Sequence, residues 1–180
     1  MKKIYSIILV ITLGSSVFIS SCKKGDVDKK FDLSLTGIVL NVDSMNFDGN
    51  EKVFAQKLIT TGIEAELNKN GATLQNIKKI ELSSVDLTIT TPTGQTFDGV
   101  DYLVSYINAG TLGEAKVAYK SPIPQTSLTT ISQDNQFADL TEYIKQTEFT
   151  FIVKGYNSID LPAMTLTANI KFSVTATVAK

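Results

Sequence analysis

The chain has 180 residues, the size of one ordinary domain with a real core, and its 43% hydrophobic and 19% charged residues suit a globular protein. The basic residues are all lysine; with no arginine, histidine or tryptophan, the chain lacks an imidazole base, a nitrogen ligand for zinc or copper, and a bidentate fork for phosphate. The net charge of −1 disfavours nucleic acid as a partner, and the single cysteine, Cys22, excludes an intramolecular disulfide or a cysteine-rich metal site.

The first 22 residues read as a secretory leader: Lys2 and Lys3 make a basic start, Ile4 to Leu13 are mainly apolar, and small residues precede Cys22. Ser6, Thr12, Gly14, Ser15 and Ser16 interrupt the apolar run, so it is not expected to stay in the membrane as a span. The tetrad Ile19, Ser20, Ser21, Cys22 resembles the bacterial lipobox, a branched apolar residue, two small residues and a cysteine whose thiol forms a thioether with diacylglycerol. The resemblance implies cleavage before Cys22 and a lipid-attached mature chain, with palmitate-like acyl chains. Each buried methylene contributes about 0.8 kcal/mol, so two or three chains hold firmly.

Without the leader, 15 lysines face 18 acidic residues, a net charge of −3. Lys23 is not the aspartate that retains many lipoproteins in the inner membrane, so the resemblance points to the outer membrane, facing either the periplasm or the cell surface. Residues 23 to 30, KKGDVDKK, are charged and read as a solvated tether. The expected organisation is a signal peptide over 1–21, a tether over 22–30, and one domain over 31–180.

Strand patterns follow at Phe31 to Val42, Ile77 to Thr90, Tyr102 to Ala109, Glu114 to Lys120 and Thr147 to Tyr156, and most clearly at Met164 to Val178, where apolar even positions alternate with a threonine-rich odd face. Apolar parity slips at Gly37 and again at Ser83 and Ser84, which predicts bulges. Turn residues separate the runs: Thr91, Pro92, Thr93 and Gly94, then Asp98 and Gly99, Gly110 and Gly113, and Pro122 and Pro124. Between the first two runs, Phe54, Leu58, Ile63 and Leu67 recur near helical spacing, so an amphipathic helix is expected over Glu51 to Asn68, capped by Asp48 or Asn50 and stopped by Gly71. A shorter helical turn is expected over Asp139 to Lys145.

These elements predict an all-β fold, an immunoglobulin-like antiparallel β-sandwich with one inserted amphipathic helix. The order of elements resembles small outer-membrane lipoproteins of Bacteroidota, which commonly carry such sandwiches; that resemblance implies no reaction.

No catalytic, cofactor-binding or metal-ligating set emerges. Ser44, Asn46, Asp48, Gly49 and Asn50 resemble a calcium loop only in part, because a calcium loop opens on aspartate and closes on a bidentate glutamate where this chain has Ala55; a turn and helix cap is the better reading. Glu64 with Glu66 and Asp98 with Asp101 are the nearest carboxylate pairs, and a hydrolase would need them across a cleft. Tyr102 and Tyr106 share strand parity and could present rings to a sugar, provided that their face is the exposed one. The reading is therefore a non-enzymatic binding or structural module of the cell envelope, without a cofactor, whose partner is an envelope protein or a glycan. Surface glycan binding or adhesion and an unrecognised hydrolase are its alternatives.

Overall fold

The structure, a computed structural model, describes residues 25–136 and 139–179, so the leader and Cys22 lie outside it. Its eight strands are β1 (Val27–Val42), β2 (Lys52–Thr60), β3 (Ile77–Thr91), β4 (Val100–Asn108), β5 (Glu114–Lys120), β6 (Thr130–Asn135), β7 (Glu148–Asn157) and β8 (Met164–Val178). All pair antiparallel, in the order β1-β8-β3-β6-β5-β4-β7-β2. The all-β antiparallel architecture expected from the alternating pattern is what the chain forms, through one curled sheet whose two halves face each other.

β6 makes the seam. Its residues Thr130 to Gln133 pair with β3, and Asp134 and Asn135 pair with β5. Across the core the halves meet directly: Phe149 of β7 packs edge to face on Phe172 of β8, with ring centroids 6.4 Å apart. Edge-to-face aromatic packing of this kind adds specificity to the burial that drives collapse.

β8 shows why the alternation matters. Met164, Leu166, Ala168, Ile170, Phe172, Val174 and Ala176 are all buried, while Thr165, Thr167, Ser173, Thr175 and Lys171 form the outer face. In β3 the pairing slips between Leu82 and Ser84, turning both Ile80 and Leu82 before the bulge, and Val85, Leu87 and Ile89 after it, into the core. In β1 the slip lies between Leu35 and Ile38, at Gly37 with φ +69°, and the freed Gly37 N–H donates to Asn169 Oδ1 at 2.9 Å.

Two boundaries differ from expectation. β1 starts at Val27, so Val27 to Lys30 of the segment read as a tether are paired with β8, their side chains exposed. The helix expected over Glu51 to Asn68 is a strand in its first half. A bulge between Val53 and Ala55 turns both Phe54 and Ala55 inward, so Phe54 and Leu58 copy the spacing of a helix, although Leu58 is 57% exposed. Only its second half forms α1 (Ile63–Lys69), which buries Ile63 and Leu67 and ends as expected before Gly71, at φ +75°. The short turn after Asp139 forms α2 (Thr141–Ile144).

Asp48 consequently caps no helix. Its carboxylate accepts from the Asn50 N–H at 3.0 Å and pairs with Lys52 at 3.3 Å, closing the turn into β2 and holding its pKa below the usual aspartate value, chiefly through the Asn50 bond.

Candidate functional site

β4 settles which face is buried. Leu103, Ser105 and Ile107 point into the core, so Tyr102, Val104 and Tyr106 lie on the outside. Antiparallel register then brings Tyr156 opposite Tyr102, Lys154 opposite Val104 and Ile152 opposite Tyr106, with Tyr119 of β5 opposite Val104 on the other side. Val104 and Ile152 are buried although they stand apart from the main core. They form a small outer apolar layer, kept from water by the long side chains around it.

The rings divide into two groups. Tyr106 and Tyr119 each carry a lysine of the same chain: Lys154 Nζ lies 4.7 Å from the Tyr106 ring centroid and Lys116 Nζ 4.8 Å from that of Tyr119. Lys154 also meets the Glu114 carboxylate at 2.6 Å, and that bond is the main reason its pKa is raised. Tyr102 and Tyr156 instead lie parallel to each other, centroids 6.1 Å apart at 9°, and Phe47 from the β1–β2 loop packs edge-on against Tyr156 at 6.1 Å. Phe47 is 50% exposed.

Polar contacts hold this aromatic corner. The Tyr102 hydroxyl donates to Glu51 Oε2 at 3.0 Å, and the Phe47 N–H donates to Asp160 Oδ1 at 2.7 Å. Partial burial, followed by the Glu51 bond, raises the pKa of Tyr102.

Tyr102 and Tyr106, the pair singled out in the sequence, thus share the outer face. Their ring neighbours are Tyr156 and Lys154, whereas the sequence left Phe47, Glu51, Tyr119 and Tyr156 unassigned. Tyr156 shares its parity with Lys154, the one available signal; on β7 both parities are apolar, with Phe151 and Val153 on one and Ile152 on the other.

The carboxylate pairs find other roles. Asp98 accepts from the Ser127 N–H and hydroxyl at 3.0 and 3.1 Å, Asp101 from the Ser158 hydroxyl at 3.0 Å, and Glu66 pairs with Lys69 at 3.0 Å. Glu64 lines two depressions beside α1, of about 340 and 290 Å³, as the one carboxylate in either lining. Among the described residues no group of three or more metal-ligating side chains comes together, and no helix is long and apolar enough to cross a membrane.

No protein family and no curated protein matches the chain. Among solved structures, one of Desmodium yellow mottle tymovirus aligns over 99% of this chain and 98% of its own at 9% identity and a TM-score of 0.29. The infectious bursal disease virus VP2 subviral particle aligns over 94% of this chain and 37% of its own, at 13% identity and a TM-score of 0.34. A structure of the Gx strain of that virus aligns over 97% and 39%, at 15% identity and 0.33. Likeness this low carries no function to the present chain.

Proposed function

We propose that the chain is a lipid-anchored, non-enzymatic binding module of the bacterial outer membrane, tethered through Cys22 and engaging an envelope partner through the aromatic outer face of β4 and β7. The observation that carries the binding reading is the gathering of Phe47, Tyr102, Tyr106, Tyr119 and Tyr156 on one outward sheet face. On the opposite half of the fold, the outer face of β8 carries no aromatic ring and is instead mostly threonine, with Asn169, Lys171 and Ser173. Tyrosine and phenylalanine supply large contact areas at low entropic cost, which is why they concentrate at interfaces.

The lipobox tetrad supports the anchor, and the start of β1 at Val27 limits its reach. Five residue steps from Cys22 span at most roughly 18 Å. β1 then runs 16 residues, roughly 50 Å of strand, to the end beside Phe47. An anchor at Cys22 would therefore hold the Val27 end of the sheet near the membrane and present the aromatic corner away from it.

Glycan binding is the second reading, favoured by the flat Tyr102 and Tyr156 rings on the outer face. The lysine over Tyr106 weakens the original pairing of Tyr102 with Tyr106 as a sugar platform.

Metabolic labelling with a fatty-acid analogue tests the anchor: label in the wild-type protein should disappear in Cys22→Ala, and equal labelling would overturn it. Crosslinking in intact envelopes tests the face, with a product expected for the wild type and lost in Phe47→Ala. A crosslinking pattern identical in the two proteins would remove the aromatic corner from the reading.

A further inference from the structure

We infer that the corner formed by Phe47, Tyr102 and Tyr156 docks a lysine-bearing segment of a partner protein, seating an ammonium on the rings. This deepens the binding-module reading and rests on it, but is independent of the anchor.

The sheet face itself displays the chemistry. Two of its four tyrosines, Tyr106 and Tyr119, already hold lysine ammonium groups at cation–π distance. Among the described residues no ammonium of the chain lies over Tyr102, Tyr156 or Phe47, so the same kind of surface is left open at this end of the sheet.

Charge selects the occupant. The residues at this end include Asp43, Asp48, Glu51, Asp98 and Asp160 of the loops and Asp101 at the start of β4, against Lys52, which pairs with Asp48, and Lys154, which is bonded to Glu114 and lies within electrostatic reach of Glu51. The acidic groups are physically joined to the corner: Glu51 accepts from Tyr102, Asp160 from Phe47, and Ser158, which bonds Asp101, also donates its N–H to the Gly99 carbonyl beside Asp98. Their hydrogen bonds come largely from neutral donors, which leave the negative charge in place; Lys52 pairs with Asp48, and Lys154, bonded to Glu114, acts on Glu51 only at longer range. An acidic rim around these rings, Phe47 half exposed and Tyr102 and Tyr156 partly exposed, attracts cations at long range and holds them at short range. Phe47 at 50% exposure and Ile159 at 54% add apolar contact for the methylene stem of a lysine. An anionic glycan or a phosphate would meet the wrong sign, and the chain offers no arginine to receive it.

The test uses the full chain in detergent and a lysine-rich nonapeptide, followed by tyrosine fluorescence and calorimetry. Saturable, salt-sensitive binding is expected, lost when the peptide's lysines are acetylated. Phe47→Ala, which changes no charge, should weaken binding about five- to tenfold. Glu51→Gln should weaken it as well, and Leu58→Ala, on the exposed edge of β2, should leave it unchanged. Binding insensitive to Phe47→Ala would reduce the effect to diffuse electrostatics and overturn the inference. So would binding of a chitosan oligomer without the peptide, which would assign the corner to an amino sugar. If the peptide fails to bind while the envelope crosslink still depends on Phe47, the inference falls and the binding module stands; if both fail, the module falls too.

Discussion

The Tyr102 hydroxyl donates to the Glu51 carboxylate at 3.0 Å, tying β4 to the residue immediately before edge strand β2. Burial and this bond both favour the neutral phenol, so Tyr102 ionises above the usual tyrosine value of 10.0. In an alkaline titration followed by phenolate absorbance, one tyrosine should therefore lag behind the others. Glu51→Gln should shorten that lag without abolishing it, because burial is the larger cause. Identical titration curves for the two proteins would show that the bond does not persist in solution.

Gly155 marks a close approach of two strands. A Cβ placed there would lie 2.4 Å from the Tyr102 carbonyl oxygen and 2.5 Å from Leu103 Cδ2. The first of these is backbone and cannot step aside. Gly155→Ala should thus force β4 and β7 apart, costing about 1–3 kcal/mol or more. Chemical denaturation should show that loss, and Gly25→Ala, where a Cβ meets nothing, should show almost none. Equal stability of Gly155→Ala and the wild type would mean that the strands are less tightly apposed than they are here.

How much of this was legible beforehand depended on whether one residue's neighbours in sequence were also its neighbours in the fold. β8 read correctly because it lies between β1 and β3 and keeps one face in the core along its whole length, so Met164 to Ala176 preserve a strict period of two. β2 misread because it is an edge strand whose bulge turns Phe54 and Ala55 inward together and leaves Val53 and Leu58 exposed, erasing the alternation. β6 escaped notice for a similar reason: its six residues include only Ile131 as a large apolar side chain, and Gln133 occupies the next core position. The shared face of Tyr102 and Tyr106 followed from parity alone. Its orientation did not, since Leu103 and Ile107 offset Tyr102 and Tyr106, and the join to Phe47, Glu51 and Tyr156 depends on long-range register that no local pattern encodes.

Gln133 is also a point of fragility. Its Oε1 accepts from the Ser105 hydroxyl at 2.5 Å and its Nε2 donates to the Leu103 carbonyl at 3.2 Å, all within the buried interior. Ser105→Ala would strand the Gln133 oxygen in the core, where an unpaired acceptor costs about 1–3 kcal/mol. Adding Gln133→Leu should recover part of that loss by removing the polar group altogether. Urea denaturation of both single variants and the double variant would measure it. Strictly additive losses would indicate that the two side chains do not interact.

Asp139 gives the fold a defined response to acid. Its carboxylate accepts from the Thr141 hydroxyl and from the Thr141 N–H at 3.0 Å, and the same Thr141 oxygen receives the Ile80 N–H at 2.9 Å, so the aspartate fastens α2 to β3. The Thr141 hydroxyl bond is the chief reason that the Asp139 pKa lies below its ordinary value of 3.8, with Lys79 and Lys145 adding smaller electrostatic support. A carboxylate depressed on folding contributes stability that is fully present above its unfolded pKa and is lost as pH falls through the folded one. Because Asp139 is largely exposed, solvent screening limits that contribution to under about 1 kcal/mol. Asp139→Asn should therefore melt slightly lower than the wild type at pH 7, and the gap should narrow as the pH falls below 3.8 and through the lowered folded value. Asp28 and Asp48, lowered chiefly by the Lys78 bond and the Asn50 bond, stay in both proteins and keep a residual acid sensitivity in each. Thermal melting of the pair across that range decides the matter: a gap that stays constant would detach the carboxylate's charge from its role in holding α2.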